Sequence, residues 1–119
     1  MVTGCVCFVC VLAEIQVTAY SSLAPLSDWR VGQRSSKDDD TAASLQTFTQ
    51  ALQRVAASSN LTAPQVLLKW ALQHGYGILP KSTQAARIKQ NFAVTALPDL
   101  TPTDLSCLDG FDQNRAFAW

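Results

Sequence analysis

A chain of 119 residues is long enough for one ordinary domain. Nine basic residues balance nine acidic ones, so the net charge is 0 and the basic excess of a nucleic-acid binder is missing. At 48% hydrophobic, with five glycines and five prolines, the sequence is too apolar and too poor in Gly and Pro for a disordered chain.

Residues 1–14 form an atypical, apolar, cysteine-rich start. "GCVCFVCVLA" holds Cys5, Cys7 and Cys10, while Cys107 stands far away. A C-x-C-x-x-C spacing holds a metal only with further ligands, and no histidine lies near. The simpler reading is small buried hydrophobes in a reducing, cytoplasmic compartment. The run from Val2 to Ala13 is shorter than the ~20 residues of a membrane span. It also lacks the basic start of a secretion signal. A misplaced translation start or a truncated gene model fits it better.

"EIQVTAYS" sets Ile15, Val17 and Ala19 against Gln16, Thr18 and Tyr20, the alternation of a strand. The polar run "SSKDDDT" reads as a solvated loop. From Ser44 the period changes, and Leu45, Phe48, Leu52 and Val55 fall on one helical face until Asn60. Thr62, Pro64 and Gln65 then open a second helix with a capping box. Val66, Leu67, Leu68, Trp70, Ala71 and Leu72 predict that this helix is buried on most sides. His74 and Gly75 end it, so His74 is explained by capping and the helix dipole and is not a catalytic candidate.

"YGIL" predicts a short strand closed by Pro80. A third helix follows, with Ser82 or Thr83 as its cap and Ala85, Ile88 and Phe92 as its inner face. In the last helix Thr101 caps, Pro102 takes the first position, Asp104 completes the box, and Leu105 and Leu108 face inward. The tail "GFDQNRAFAW" has no period.

Strand, helix pair, strand, helix and a final helix give the rhythm of a parallel α/β fold. Ligands in such folds sit at the C-terminal ends of the strands. Tyr20 and Ser21 end the first strand, and Lys81 and Ser82 end the second, so all four are expected on one face. A helix start offers free amides and a positive dipole end, which suit a phosphate. Lys81 adds a charge there, Ser82 and Thr83 add hydroxyls, and Arg87 follows one turn on. A guanidinium stacks on a ring and pairs with phosphate; Gln90 and Asn91 have the amides to read a base edge. By itself a Lys-Ser pair before a helix is commonly no more than a cap and a solvated lysine.

"VTAYSSLA", "PQVLLKWALQHGYGILPKSTQAARIKQNF" and "LDGFDQNRAF" resemble the C-terminal part of the aldo-keto reductases. The likeness runs from Ile15 to Phe117, apart from the loop Pro25 to Ala43. It implies the last two strand-helix units of a (β/α)8 TIM barrel, plus the C-terminal helix and tail: an incomplete barrel over 15–119. It implies NADPH as cofactor and a small-molecule carbonyl as substrate of the complete enzyme, with no nucleic-acid or membrane partner. By the same likeness Lys81, Ser82, Thr83 and Arg87 bind the 2′-phosphate side of NADP(H), and Gln90 and Asn91 lie at the adenine. Tyr20 stacks on the nicotinamide, and Ser21 and Leu23 begin the loop over the pyrophosphate. Two positions depart from the family: glutamate usually stands where Gln90 is, and proline where Ser22 is.

A full barrel takes ~250 residues. The family's catalytic Asp, Tyr, Lys and His belong to earlier strands, and nothing before Val17 matches them. The chain alone is therefore expected to be inactive and to self-associate through exposed barrel edges. The alternative is a truncated, non-catalytic protein that binds a nucleotide or a partner.

Overall fold

Two short strands lie side by side and run the same way. β1 (Thr18–Ala19) pairs with β2 (Gly77–Ile78), with Thr18 opposite Gly77 and Ala19 opposite Ile78. The computed structural model describes residues 10, 12–19, 21–23, 26 and 39–111. Between the strands run α1 (Asp39–Ser59) and α2 (Ala63–Gln73). After β2 come α3 (Ala85–Ala93), a 3-10 turn (Val94–Ala96) and α4 (Pro102–Asp109). The result is a small α/β unit with an open parallel sheet.

The strands approach closely at Gly77. A Cβ there would meet the Thr18 hydroxyl at 3.0 Å, so the Thr18 side chain would have to give way slightly. The Gly77 N–H donates to the Val17 carbonyl at 2.8 Å, and Gln16 Nε2 donates to the Gly75 carbonyl at 2.8 Å. The alternation read in "EIQVTAYS" holds for Gln16 to Ala19, where Val17 and Ala19 are half-buried and Gln16 and Thr18 exposed. Ile15 departs from it and is exposed.

α2 is the centre of the unit. It touches α1, β2, α3 and the 3-10 turn. Every residue from Val66 to Ala71 is buried, as the near-continuous apolar run predicts. Thr62 and Gln65 form the expected reciprocal capping box. At the far end His74 is the C-cap and Gly75 takes φ +77. Gly75 N–H donates to Leu72 and Tyr76 N–H to Ala71, the bond pair of a Schellman ending.

The face read in α1 is the buried one: Leu52 and Val55 are in the core, and Phe48 packs against it. α1 begins at Asp39, inside the acidic run expected to be loop. Acidic residues are favoured in a first helical turn, where they meet the positive end of the dipole. α1 ends in a second Schellman arrangement, with Asn60 at φ 55 and Leu61 N–H donating to Ala56. The core is completed by Val66, Leu67, Trp70, Ala71, Leu100 and Leu108. Leu105 and Ile78 pack at its edge. Thr101 caps α4, accepting from the Asp104 N–H, and Pro102 stands first in the helix; the reciprocal half of the expected box is not formed, since Asp104 Oδ2 accepts from the Thr101 hydroxyl instead.

α3 corrects the sequence reading twice. Its N-cap is Gln84, not Ser82 or Thr83, and no side chain caps it. Its expected inner face is open: Ile88 is 51% and Phe92 79% exposed, and Ala85 is exposed as well. Periodicity marks Ile88 and Phe92 as one apolar stripe, but no described element lies over that stripe. Among the described residues no helix is long and apolar enough to cross a membrane.

Candidate functional site

The parallel register fixes where the candidate residues gather. Ser21 lies two residues beyond the last residue of β1, Ala19. Lys81 lies three beyond the last of β2, Ile78. Because the strands run together, both follow the same end of the sheet. Tyr20, the intervening aromatic, lies outside the described residues, as do Cys5, Cys7, Phe117 and Trp119.

On the β1 side the chain turns sharply. Ser21 adopts φ 56, a left-handed backbone that costs an ordinary side chain energy. The Ser22 hydroxyl donates to the Ala19 carbonyl at 3.2 Å, and Leu26 N–H donates to Leu23 at 3.0 Å. These bonds hold the turn after β1. Leu23 packs against the core, which anchors the start of the loop.

On the β2 side the chain leaves the strand through Pro80 and enters α3. Ser82 Oγ accepts from the Gln84 N–H at 3.1 Å and so shapes the approach to the helix. The first intrahelical bond runs from Ile88 N–H to the Gln84 carbonyl at 3.0 Å. The amides of the first turn, Ala85 to Arg87, have no intrahelical acceptor and no side-chain cap. Lys81 and Arg87 flank them, both exposed and, among the described residues, in no ion pair. Lys81 to Pro98 carries Lys81, Arg87 and Lys89 and no acidic residue. Within this stretch the formal charge is positive.

Thr83 is exposed beside this helix start, and Gln90 and Asn91 follow one turn beyond Arg87. Gln90 is exposed and Asn91 half-buried. Gln65 Nε2 donates to the Gln90 carbonyl at 3.5 Å, which ties α3 to the start of α2. The structure thus brings Lys81, Ser82, Thr83 and Arg87 to one helix start. What the arrangement can do is bind an anion by charge and amide N–H together, on an open surface. Among the described residues no group of three or more His, Cys, Asp or Glu gathers as a metal site.

Two polar anchors went unread in the sequence. Lys69 is buried on α2 and donates to the Leu97 carbonyl, and Trp70 Nε1 donates to Asp109 Oδ1 at 2.7 Å. A lysine inside an apolar run carries no sequence signal of its partner 28 residues on.

The model of the aldo/keto reductase family matches residues 5–113. The NAD(P)H-dependent D-xylose reductase of Kluyveromyces lactis is 33% identical over 105 residues, which is 88% of this chain and 31% of that protein. A probable NAD(P)H-dependent D-xylose reductase of Emericella nidulans is 36% identical over 103 residues, 87% of this chain and 31% of the relative. The 4-dihydromethyl-trisporate dehydrogenase of Mucor mucedo is 33% identical over 108 residues, 87% of this chain and 30% of its own length. The chain spans less than a third of the length of these curated relatives. By the extent of these matches, the chain belongs to the aldo/keto reductase family.

Proposed function

We propose that this chain supplies the adenosine-phosphate end of an NADP(H) site in an aldo-keto reductase-type oxidoreductase, and forms the C-terminal part of its (β/α)8 barrel. The observation that carries the reading is the uncapped start of α3, flanked by Lys81 and Arg87, which are in no ion pair among the described residues and lie in a stretch, 81–98, that holds no acidic residue. A 2′-phosphate is a compact dianion that needs such a place. Lys81 acts as a point charge and Arg87 as a planar donor able to stack on adenine. Ser82 and Thr83 offer hydroxyls, and Gln90 and Asn91 read the base edge. Ser21 and Leu23, at the same end of the sheet, begin the loop over the pyrophosphate, and Tyr20 stacks on the nicotinamide.

The bound cofactor supplies the hydride; this chain's residues hold and orient its far end. Reduction of a carbonyl also needs an acid for the developing alkoxide. No residue of this chain is proposed for that step, and the carbonyl substrate is met by other parts of the barrel. The reading is tested by comparing 2′,5′-ADP with 5′-AMP as ligands. Preference for the 2′-phosphate that disappears in Lys81→Ala and Arg87→Ala supports it. Equal affinities for the two ligands refute it.

A further inference from the structure

We propose that His74 is a protonation-sensitive clasp that holds the C-terminal end of α4 to the C-terminal end of α2. Both of its ring nitrogens face oxygens that can only accept. Nδ1 lies 2.9 Å from the Trp70 carbonyl oxygen. Nε2 lies 3.2 Å from Asp109 Oδ1. A neutral imidazole has one N–H and serves one of these acceptors; the imidazolium has two and serves both. The neutral ring makes either the Trp70 bond, with its proton on Nδ1, or the Asp109 bond, with its proton on Nε2; only the imidazolium makes both and pairs its charge with the carboxylate.

The surroundings suit the charged ring. It lies over the Trp70 indole with centroids 4.3 Å apart and planes at 31°, and indole faces attract cations. The Tyr76 ring, from the segment leading into β2, is stacked beside it at 6.2 Å and 16°. From α4 the facing group is Asp109, whose Oδ1 also accepts from Trp70 Nε1 at 2.7 Å. From α2 itself Lys69 is engaged elsewhere, on Leu97 and Asp99. Protonation therefore makes the second bond from α2 to the carboxylate that ends α4 a charge-assisted one.

What this bond holds is the exit from α4. Gly110 and Phe111 follow Asp109 directly, and their N–H groups donate to Ser106 and Leu108, each at 3.1 Å. The Phe111 ring packs edge-on against Phe48 of α1 at 5.5 Å. When His74 loses its proton, α4 keeps the Trp70 bond, but the ring's single N–H is shared between two acceptors and its contact with Asp109 carries no charge. Because the His74–Asp109 pair is partly exposed, salt weakens the clasp.

The chain has one histidine and three tryptophans, which makes the test direct. The variant Trp29→Phe/Trp119→Phe leaves Trp70 as the sole fluorophore. Its emission and the nitrogen shifts of labelled His74 are followed from about pH 8.5 to about pH 5.5. The emission is expected to step with the same midpoint as the ring nitrogens. In the unmutated chain the Gly110 and Phe111 amides are expected to exchange about five-fold more slowly on the acid side, after correction for intrinsic exchange, as one charge-assisted bond allows. His74→Gln keeps a donor toward Asp109 but does not titrate, and both steps should vanish in it. Steps that persist in His74→Gln overturn the proposal. So does a histidine that titrates while Trp70 emission and amide protection stay flat, a result the unmutated residues around the ring decide even where His74→Gln folds poorly.

Discussion

Lys69 reaches across the core edge to donate to the Leu97 carbonyl at 2.6 Å, and its ammonium also pairs with Asp99 at 2.9 Å. Gln73, one turn on, makes a reciprocal pair with Leu100: its Nε2 donates to the carbonyl, and its Oε1 accepts from the N–H. The narrow polar edge of an otherwise apolar helix thus fixes the connection 97–100 that delivers α4. Removing the ammonium with Lys69→Met leaves the Leu97 carbonyl without its donor. It should cost about 1–3 kcal/mol in chemical denaturation, the range for a buried polar group left unpaired. Asp99→Asn should cost far less, because the Asp99 side chain is 75% exposed and such pairs are screened.

Among the described residues three non-glycine residues carry left-handed backbone, Glu14 at φ 54, Ser21 at φ 56 and Asn60 at φ 55, and the last two follow β1 and α1. Asparagine tolerates this region better than serine does. Ser21→Gly should therefore stabilise the chain by up to about 1 kcal/mol, while Asn60→Gly should be nearly neutral. Ser21→Val and Asn60→Val should each lose at least about 1 kcal/mol. Thermal melts of the four variants check the order, and a neutral Ser21→Val would show that the turn after β1 is not held in this conformation.

Local rules were legible where they need only neighbours in sequence. Thr62 with Gln65, Thr101 with Asp104, and Asn60 and Gly75 as helix stops each satisfy backbone groups within one turn, so the residue types predict the geometry. The pairing of β1 with β2, and the meeting of their ends near Ser21 and Lys81, follow from the parallel α/β rhythm. Contacts between distant segments were not legible. Nothing in "LLKWALQ" says that Lys69 will find Leu97, or that Trp70 will find Asp109. The stripe Ala85, Ile88 and Phe92 shows the complementary limit. Periodicity says which side of a helix is apolar, and burial needs something to cover it.

Cofactor selectivity should follow charge at the start of α3. Lys81→Ala and Arg87→Ala should each weaken binding of NADPH roughly two- to five-fold, the range for exposed charge pairs, with little effect on NADH. The NADPH preference should also shrink as salt is raised. Isothermal titration of both cofactors at two ionic strengths measures this. Salt-independent binding, unchanged by either substitution, would place the phosphate elsewhere.

The chain by itself should not turn over. No acid is assigned to the carbonyl, and the chain spans less than a third of its reductase relatives. Purified 119-residue protein should oxidise NADPH with a simple aldehyde no faster than its Lys81→Ala variant prepared in parallel, which controls for host reductases. Saturable turnover confined to the unmutated chain would show that a complete catalytic set is present.

The open face of α3 makes a prediction about association. Ile88 and Phe92 stand four residues apart, so they share one side of the helix, and both are exposed. Leu79, just before the helix, is 68% exposed. The two-stranded sheet adds a free edge on each side among the described residues, and unpaired parallel strands invite further pairing. The chain alone should therefore sediment as oligomers at micromolar concentration. Ile88→Lys with Phe92→Lys should shift it toward monomer while changing unfolding stability by no more than about 0.5 kcal/mol, as for other surface substitutions. The contrast is informative because a buried inner face would behave in the opposite way. Two lysines placed in a packed helix interface would unfold the chain. A large loss of stability would mean that α3 is covered, and that the apolar stripe is a core face after all. Unchanged oligomers with unchanged stability would move the association to the strand edges.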